Sequence, residues 1–253
     1  MHSNILQCFA LTMDAEGANR VSRVKSDPGN WSGGKVGSGT LIGTQWGVSA
    51  PVAIAHGLTI GKIQPEQAYS LVYEPGYWTP MDADALPAGL DLNVVDDAYN
   101  AGVGNARKLY GKVRAKGLKT PDAQISAFAA ARLGFLRSLR TWNTFGKGWA
   151  ARVARMETEG HKMAKTSAPM VQAHADAAQA KASSAVRKAV ALPAVSGGAA
   201  VATPNDALQS IPWEAGLAAG IVLTVIVGIL LWQRHAQATR AEALQSLASE
   251  LKK

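Results

Sequence analysis

Asp27-Pro28-Gly29-Asn30-Trp31-Ser32-Gly33-Gly34-Lys35, DPGNWSGGK, fits G-x-x-x-x-G-K through Gly29, Gly34 and Lys35. That spacing is shared with phosphate-cradling loops, which also need Ser or Thr after the lysine to hold magnesium. Position 36 is Val. Such a loop further needs a buried strand before it and a helix after it, so that a helix N-terminus faces the phosphates. NRVSRVKS precedes it, polar and basic, and VGSGTLIGT follows, where Gly37, Gly39 and Gly43 argue against a helix. The stretch is therefore read as a glycine-rich turn system with another task, inside a chain whose flanking segments carry helical periodicity.

Working outward, Ile5, Leu6, Phe9 and Met13 recur at helical spacing and predict a first helix ending near Glu16-Gly17. Beyond residue 50, helical patterns cover 64–73, 91–113 and 120–142, the last with Thr120 as N-cap and Pro121 at the first helical position. Phe128, Leu133, Phe135, Leu136 and Leu139 supply its apolar surface. The expected fold class is mainly α: a helical domain with an irregular, glycine-rich or β-hairpin insertion.

The chain has 253 residues, 47% of them apolar, enough for one or two domains with a normal core. Its single cysteine, Cys8, excludes an intramolecular disulfide framework and reads as a half-buried structural thiol. His2, His56, His161, His174 and His235 are scattered and match no metal-ligand spacing, so neither metal nor cofactor is expected. A net charge of +8 and a pI near 9.7 favour anionic partners. The cations are spread along the chain without a nucleic-acid motif, so a surface or wall partner fits better than specific nucleic acid.

Ala215 to Trp232 is free of charge, long enough at about 1.5 Å per residue to cross most of a hydrocarbon core of about 30 Å. Trp213 and Trp232 bracket it. A transmembrane helix over 211–233 is expected, with a basic tail over 234–253 in the cytoplasm because Arg234, Arg240, Lys252 and Lys253 follow the span. Residues 159–210 read as an Ala/Lys-rich helical stalk running into a flexible linker from residue 193. The remaining soluble part divides as 1–80 and 81–158.

Glu16 closes the first helix, Asp27 lies eleven residues on, and Thr40 and Thr44 follow. An acid at a helix end facing a hairpin with a second carboxylate and a threonine suits glycoside cleavage. One group protonates the glycosidic oxygen, and another handles water or the developing positive charge. Spacing alone favours Glu16 as a solvated surface residue.

Several motifs resemble those of the glycoside hydrolase family 108 muramidases, the secretion-type lysozymes. They are Glu16-Gly17, Asp27-Pro28-Gly29, Gly43-Thr44-Gln45-Trp46-Gly47-Val48-Ser49 and Tyr77-Trp78. Leu86-Pro87, Asp97-Ala98-Tyr99-Asn100-Ala101-Gly102 and Gly148-Trp149-Ala150-Ala151-Arg152 resemble the peptidoglycan-binding-type region that accompanies that module. The resemblance covers most of residues 5–155. It implies a lysozyme-like domain over 1–80 with a helical peptidoglycan-binding-type region over 81–158. It also implies Glu16 as general acid and peptidoglycan glycan strands as substrate.

Asp27 and Thr44 complete the expected catalytic set, and Trp31, Trp46, Tyr77, Trp78 and Asn100 the expected substrate-binding set. Tyr77, Trp78 and Trp149 read more readily as core aromatics than as sugar platforms, Trp31 at least as readily as a buried tryptophan, and Asp97 and Asn100 equally as helix braces. The motif departs from the family at Ala18 and Asn19, where Gly and Tyr are usual. Three functions stay open: a muramidase of phage-lysis type, a degenerate wall-binding scaffold, and a lytic transglycosylase. With the membrane reading, the chain is expected as a single-pass inner-membrane protein of phage or prophage origin, its catalytic part in the periplasm. Since MHSNILQCFALTMDAEG lacks an export signal, a holin-type partner is expected to assist its translocation.

Overall fold

The computed structural model describes residues 4–17, 20–201 and 234–252. They divide into two compact units, Met1–Arg132 with Glu159–Lys165, and Leu133–Thr158 with Thr166–Lys253.

In the first unit, α1 (Ile5–Glu16) buries Ile5, Cys8, Phe9, Thr12 and Met13. Leu6, expected on the same face, is 60% exposed instead. Burial and the nearby Asp91 and Asp96 carboxylates push the Cys8 thiol far above its usual range, which makes it inert. Gly17 ends α1 in the left-handed conformation at φ 60°, and its N–H returns to Asp14 and Met13.

Residues 20–49 contain no strand, only isolated antiparallel bridges Ser22–Thr44, Trp31–Leu41 and Gln45–Val48. The expected hairpin is thus a set of tight turns. DPGNWSGGK forms a short 3-10 turn, Pro28–Asn30, followed by a loop in which Gly33 N–H donates to Ser38 O. A Cβ on Gly33 would collide with the Ser38 side chain.

Helix α2 (Ala50–Ala55) and the short α3 (Pro65–Ala68) follow. α3 continues as a π-helix, Tyr69–Trp78, that contains Pro75. The sequence pattern at 64–73 located the helix but not its winding. Helices α4 (Leu90–Ala101) and α5 (Val103–Arg114) are separate elements, broken at Gly102, where periodicity had read one pattern. Helix α6 (Pro121–Arg137) starts at the expected proline.

The core gathers Phe9, Tyr73, Trp78, Leu92, Leu109 and Phe128. At its centre Arg132 of α6 reaches Asp96 at 2.6 Å and Asp97 at 2.9 Å on α4. Asn105 donates to Asp97 Oδ2 at 3.1 Å. Buried charges of this kind persist only when paired and hydrogen-bonded.

The second unit includes most of α7 (Trp142–Met163) and α8 (Ala168–Val201). α8 runs through residues 193–201, read from sequence as linker, while 202–212 lie outside the described residues. Residues 234–250 form a further helix, α9. Leu244, Leu247 and Ala248 of α9 form a buried cluster with Val171 and Ala175 of α8. Arg240 pairs with Glu157 of α7 through Nε–Oε2 and Nη2–Oε1, both side chains buried.

These contacts correct the expected fold class and localisation. The span expected over 211–233 lies outside the described residues, and among the described residues no helix is long and apolar enough to cross a membrane. The tail over 234–253, expected beyond a bilayer, shares a buried core and ion pair with residues 157–175. It cannot lie across a membrane from them, so the single-pass inner-membrane arrangement is withdrawn. Nothing among the described residues supports the expected holin-type partner.

Arg240→Ala would leave Glu157 charged, buried and without its bidentate partner. A loss of about 3–5 kcal/mol is expected. It should appear as faster amide exchange in 234–250 and in α8, with residues 5–132 unchanged.

Candidate active site

The site is built where the π-helix lies along α1. Hydrogen bonding from i to i+5 widens the turn; Tyr69 and Tyr73, four residues apart, meet α1, and Tyr77 follows four residues on. Phe9 lies edge-on to Tyr69 and Tyr73, with centroids at 6.1 and 5.3 Å. Thr12 Oγ1 and Tyr73 Oη are 3.4 Å apart. Burial raises the Tyr77 phenol above its ordinary value, and the charge of Glu16, at the end of α1, raises it further. Tyr77 therefore stays a neutral hydroxyl through the physiological range. Its ring packs on Tyr99 of α4 at 4.8 Å. Glu16 itself is exposed at the end of α1.

The 45–48 turn approaches the same aromatic row. Gln45 and Val48 exchange both backbone hydrogen bonds, and the two residues between them, Trp46 and Gly47, have φ of 54° and 77°. This is the type I′ pattern, which ordinarily takes Asn-Gly. A tryptophan held left-handed is a true outlier, and such strain collects at functional sites. The Trp46 ring stands 6.3 Å from Phe9. A cavity of about 360 Å³ opens there, with Phe9, Met13, Asp14, Gly17, Trp46 and Tyr69 in its walls. Glu16 adjoins Gly17 at its edge without lining it.

The other expected residues fall elsewhere. Asp27 Oδ1 accepts from Gly29 N at 2.8 Å and caps the 3-10 turn. Thr44 Oγ1 donates to Gly29 O at 3.4 Å, and its backbone pairs with Ser22. The structure thus brings Asp27 and Thr44 together around Gly29. Trp31 is half-buried, with Nε1 bonded to Lys25 O at 2.9 Å. Trp78 is a core residue, 2% exposed. Asn100 accepts from Arg132 Nη2 at 3.4 Å and braces the buried arginine.

Sequence reasoning missed Tyr69, Tyr73 and Tyr99, although Tyr69-x-x-x-Tyr73-x-x-x-Tyr77 is a visible signal for one helical face. Among the described residues no group of three His, Cys, Asp or Glu is placed to hold a metal.

Residues 9–102 match the family model described as Glycosyl hydrolase 108. This domain makes the chain a glycoside hydrolase and supports peptidoglycan, cleaved in lysozyme-like fashion, as its substrate. The match includes Glu16, the tyrosine row and the 45–48 turn, and ends before most of the expected 81–158 region. No curated protein matches the chain. Among solved structures, "Structure of Brucella abortus SagA" is similar at 26% identity with a TM-score of 0.46, covering 64% of this chain and 98% of that one.

A Cβ on Gly47 would stand 2.6 Å from the Tyr99 hydroxyl but 3.6 Å from its Cζ. Gly47→Ala is expected to cost about 1–3 kcal/mol in thermal unfolding and to lower hydrolysis. Adding Tyr99→Phe should restore part of the lost stability, the remainder being the left-handed strain.

Proposed function

We propose that the chain is an N-acetylmuramidase. It hydrolyses the β-1,4 bond between N-acetylmuramic acid and N-acetylglucosamine, with Glu16 as general acid. The observation that carries this reading is the place of Glu16. It is exposed on the last turn of α1, close enough for its charge to raise the Tyr77 phenol, and stands one residue from a cavity walled by Trp46 and Tyr69. Aromatic faces of this kind stack on pyranose rings, which orients the bond toward an acid. Glu16 gives its proton to the glycosidic oxygen, the C1–O bond breaks, and water adds at C1 and returns a proton to the site.

Asp27 and Thr44 are assigned to the water side of the reaction. A carboxylate has about four acceptor sites, so Asp27 retains capacity beyond its bond to Gly29. Trp46 and Tyr77 are assigned to the sugar. Trp31, Trp78 and Asn100, expected there too, are bound into structural contacts.

A second reading is a lytic transglycosylase, which needs a glutamate but no water-activating partner. It is favoured by the structural engagement of Asp27 and Thr44 in the Gly29 turn.

The test is digestion of purified peptidoglycan by the full chain and by Glu16→Gln, with mass spectrometry of the fragments. The proposal expects reducing-end muropeptides from the wild type and a loss of about 10²–10⁴-fold in the variant. Unfolding should change by no more than about 0.5 kcal/mol, because the site is exposed. Anhydro products would establish the second reading. Full activity in Glu16→Gln would remove Glu16 from the mechanism.

A further inference from the structure

Helix α5 and the segment after it carry Arg107, Lys108, Lys112, Arg114, Lys116 and Lys119, all exposed, with no acidic residue between Asp97 and Asp122. Ala106, Leu109 and Val113 form the buried face. The cations occupy the rest of the helix surface. Nothing in the glycosidic cleavage step uses them.

One side of this helix is more than a charged surface. Arg107, Tyr110, Gly111 and Arg114, at positions i, i+3, i+4 and i+7, share a face. They form a wall of a cavity of about 490 Å³, with Met81 and Asp82 across it. Each guanidinium has one neighbour in the wall. Arg107 Nη2 donates to Pro80 O at 2.6 Å. Arg114 lies over the Tyr110 ring, 5.9 Å from its centroid, at the outer limit of cation–π range. An arginine presents its fork to a carboxylate in two parallel hydrogen bonds.

We propose that this cavity docks the carboxylates of uncrosslinked peptidoglycan stem peptides, holding the wall while the α1 site acts on the glycan. The inference rests on peptidoglycan being the substrate. The chemistry of the cavity fits that occupant on three counts. Two arginines match free carboxylates, Asp82 matches the free amine that an uncrosslinked stem also carries, and the Pro80–Met81 wall suits the short apolar side chains of such peptides. A duplex nucleic acid would instead require a continuous stripe matched to a phosphate about every 1.7 Å along its axis.

The test uses the full chain, intact sacculi, and sacculi from which an amidase has removed the stem peptides. Wild type should bind intact sacculi about 10-fold more strongly than stripped glycan, both immobilised on beads because the stripped strands, freed of their peptide crosslinks, no longer sediment. Arg107→Ala/Arg114→Ala should fall to the stripped level on intact sacculi, yet bind and cleave stripped glycan like wild type. Arg107→Lys/Arg114→Lys should be intermediate, because charge remains while the fork is lost.

The proposal is overturned if the alanine variant binds intact sacculi as wild type does, or if it loses binding equally on both substrates. Undiminished binding by the lysine variant would reduce the site to bulk charge. Competition by duplex DNA as effective as that by a soluble stem tetrapeptide would make it a general polyanion surface. Absence of cleavage of either substrate by wild type, with the binding difference intact, would reject the hydrolase reading and leave the docking site standing.

Discussion

The packing of the π-helix on α1 is the constraint from which the site follows. Tyr73 is buried against Phe9 and Thr12, and this one contact fixes the register of two helices. Once Tyr73 is set, Tyr69 stands toward the cavity and Tyr77 packs on Tyr99. The cost of an irregular helix is one that proteins rarely accept away from functional sites. Pro75, which lacks an N–H and would break a regular α-helix, is accommodated within this winding. The strained Trp46 turn closes on the same row through Phe9 and Tyr99.

Among the described residues each unit also holds a buried ion pair that joins helices within it. Arg132 joins α6 to the adjacent aspartates of α4, the helix that also presents Tyr99. Arg240 joins α9 to α7 in the second unit. Buried pairs add little net stability compared with apolar packing, but they penalise every arrangement that separates them. They act here as registration devices. Arg132 keeps α4 at the correct depth for Tyr99 to reach Tyr77 and Gly47.

The sequence made the helices and the glycine turns legible. Periodicity located α1 and α6, and the missing hydroxyl after Lys35 removed the phosphate-loop reading. Three things stayed hidden for physical reasons. Periodicity cannot distinguish α from π winding, so the tyrosine row was not recognised. The span and the tail were read from charge and hydropathy alone. In α9 the stripe Ala236, Arg240, Leu244, Leu247 is helical and buried, and its arginine is a core residue rather than a cytoplasmic anchor. Aromatic residues near the motifs were given to sugar binding, yet Trp78 is core and Trp31 is tied to Lys25, a distinction only burial and indole hydrogen bonding reveal. Asp97 and Asn100, open between bracing and binding, both contact Arg132, and Asn100 is also exposed.

The central claim is that the end of α1 and the aromatic row form one glycan site around Glu16. It is tested most directly by a crystal structure of Glu16→Gln with a peptidoglycan tetrasaccharide. The account predicts a glycosidic oxygen within about 3.2 Å of the residue 16 carboxamide, a pyranose face on Trp46 and the Tyr77 hydroxyl within reach of the sugar. A saccharide seated elsewhere, with residue 16 in bulk solvent and Trp46 uncovered, would contradict it.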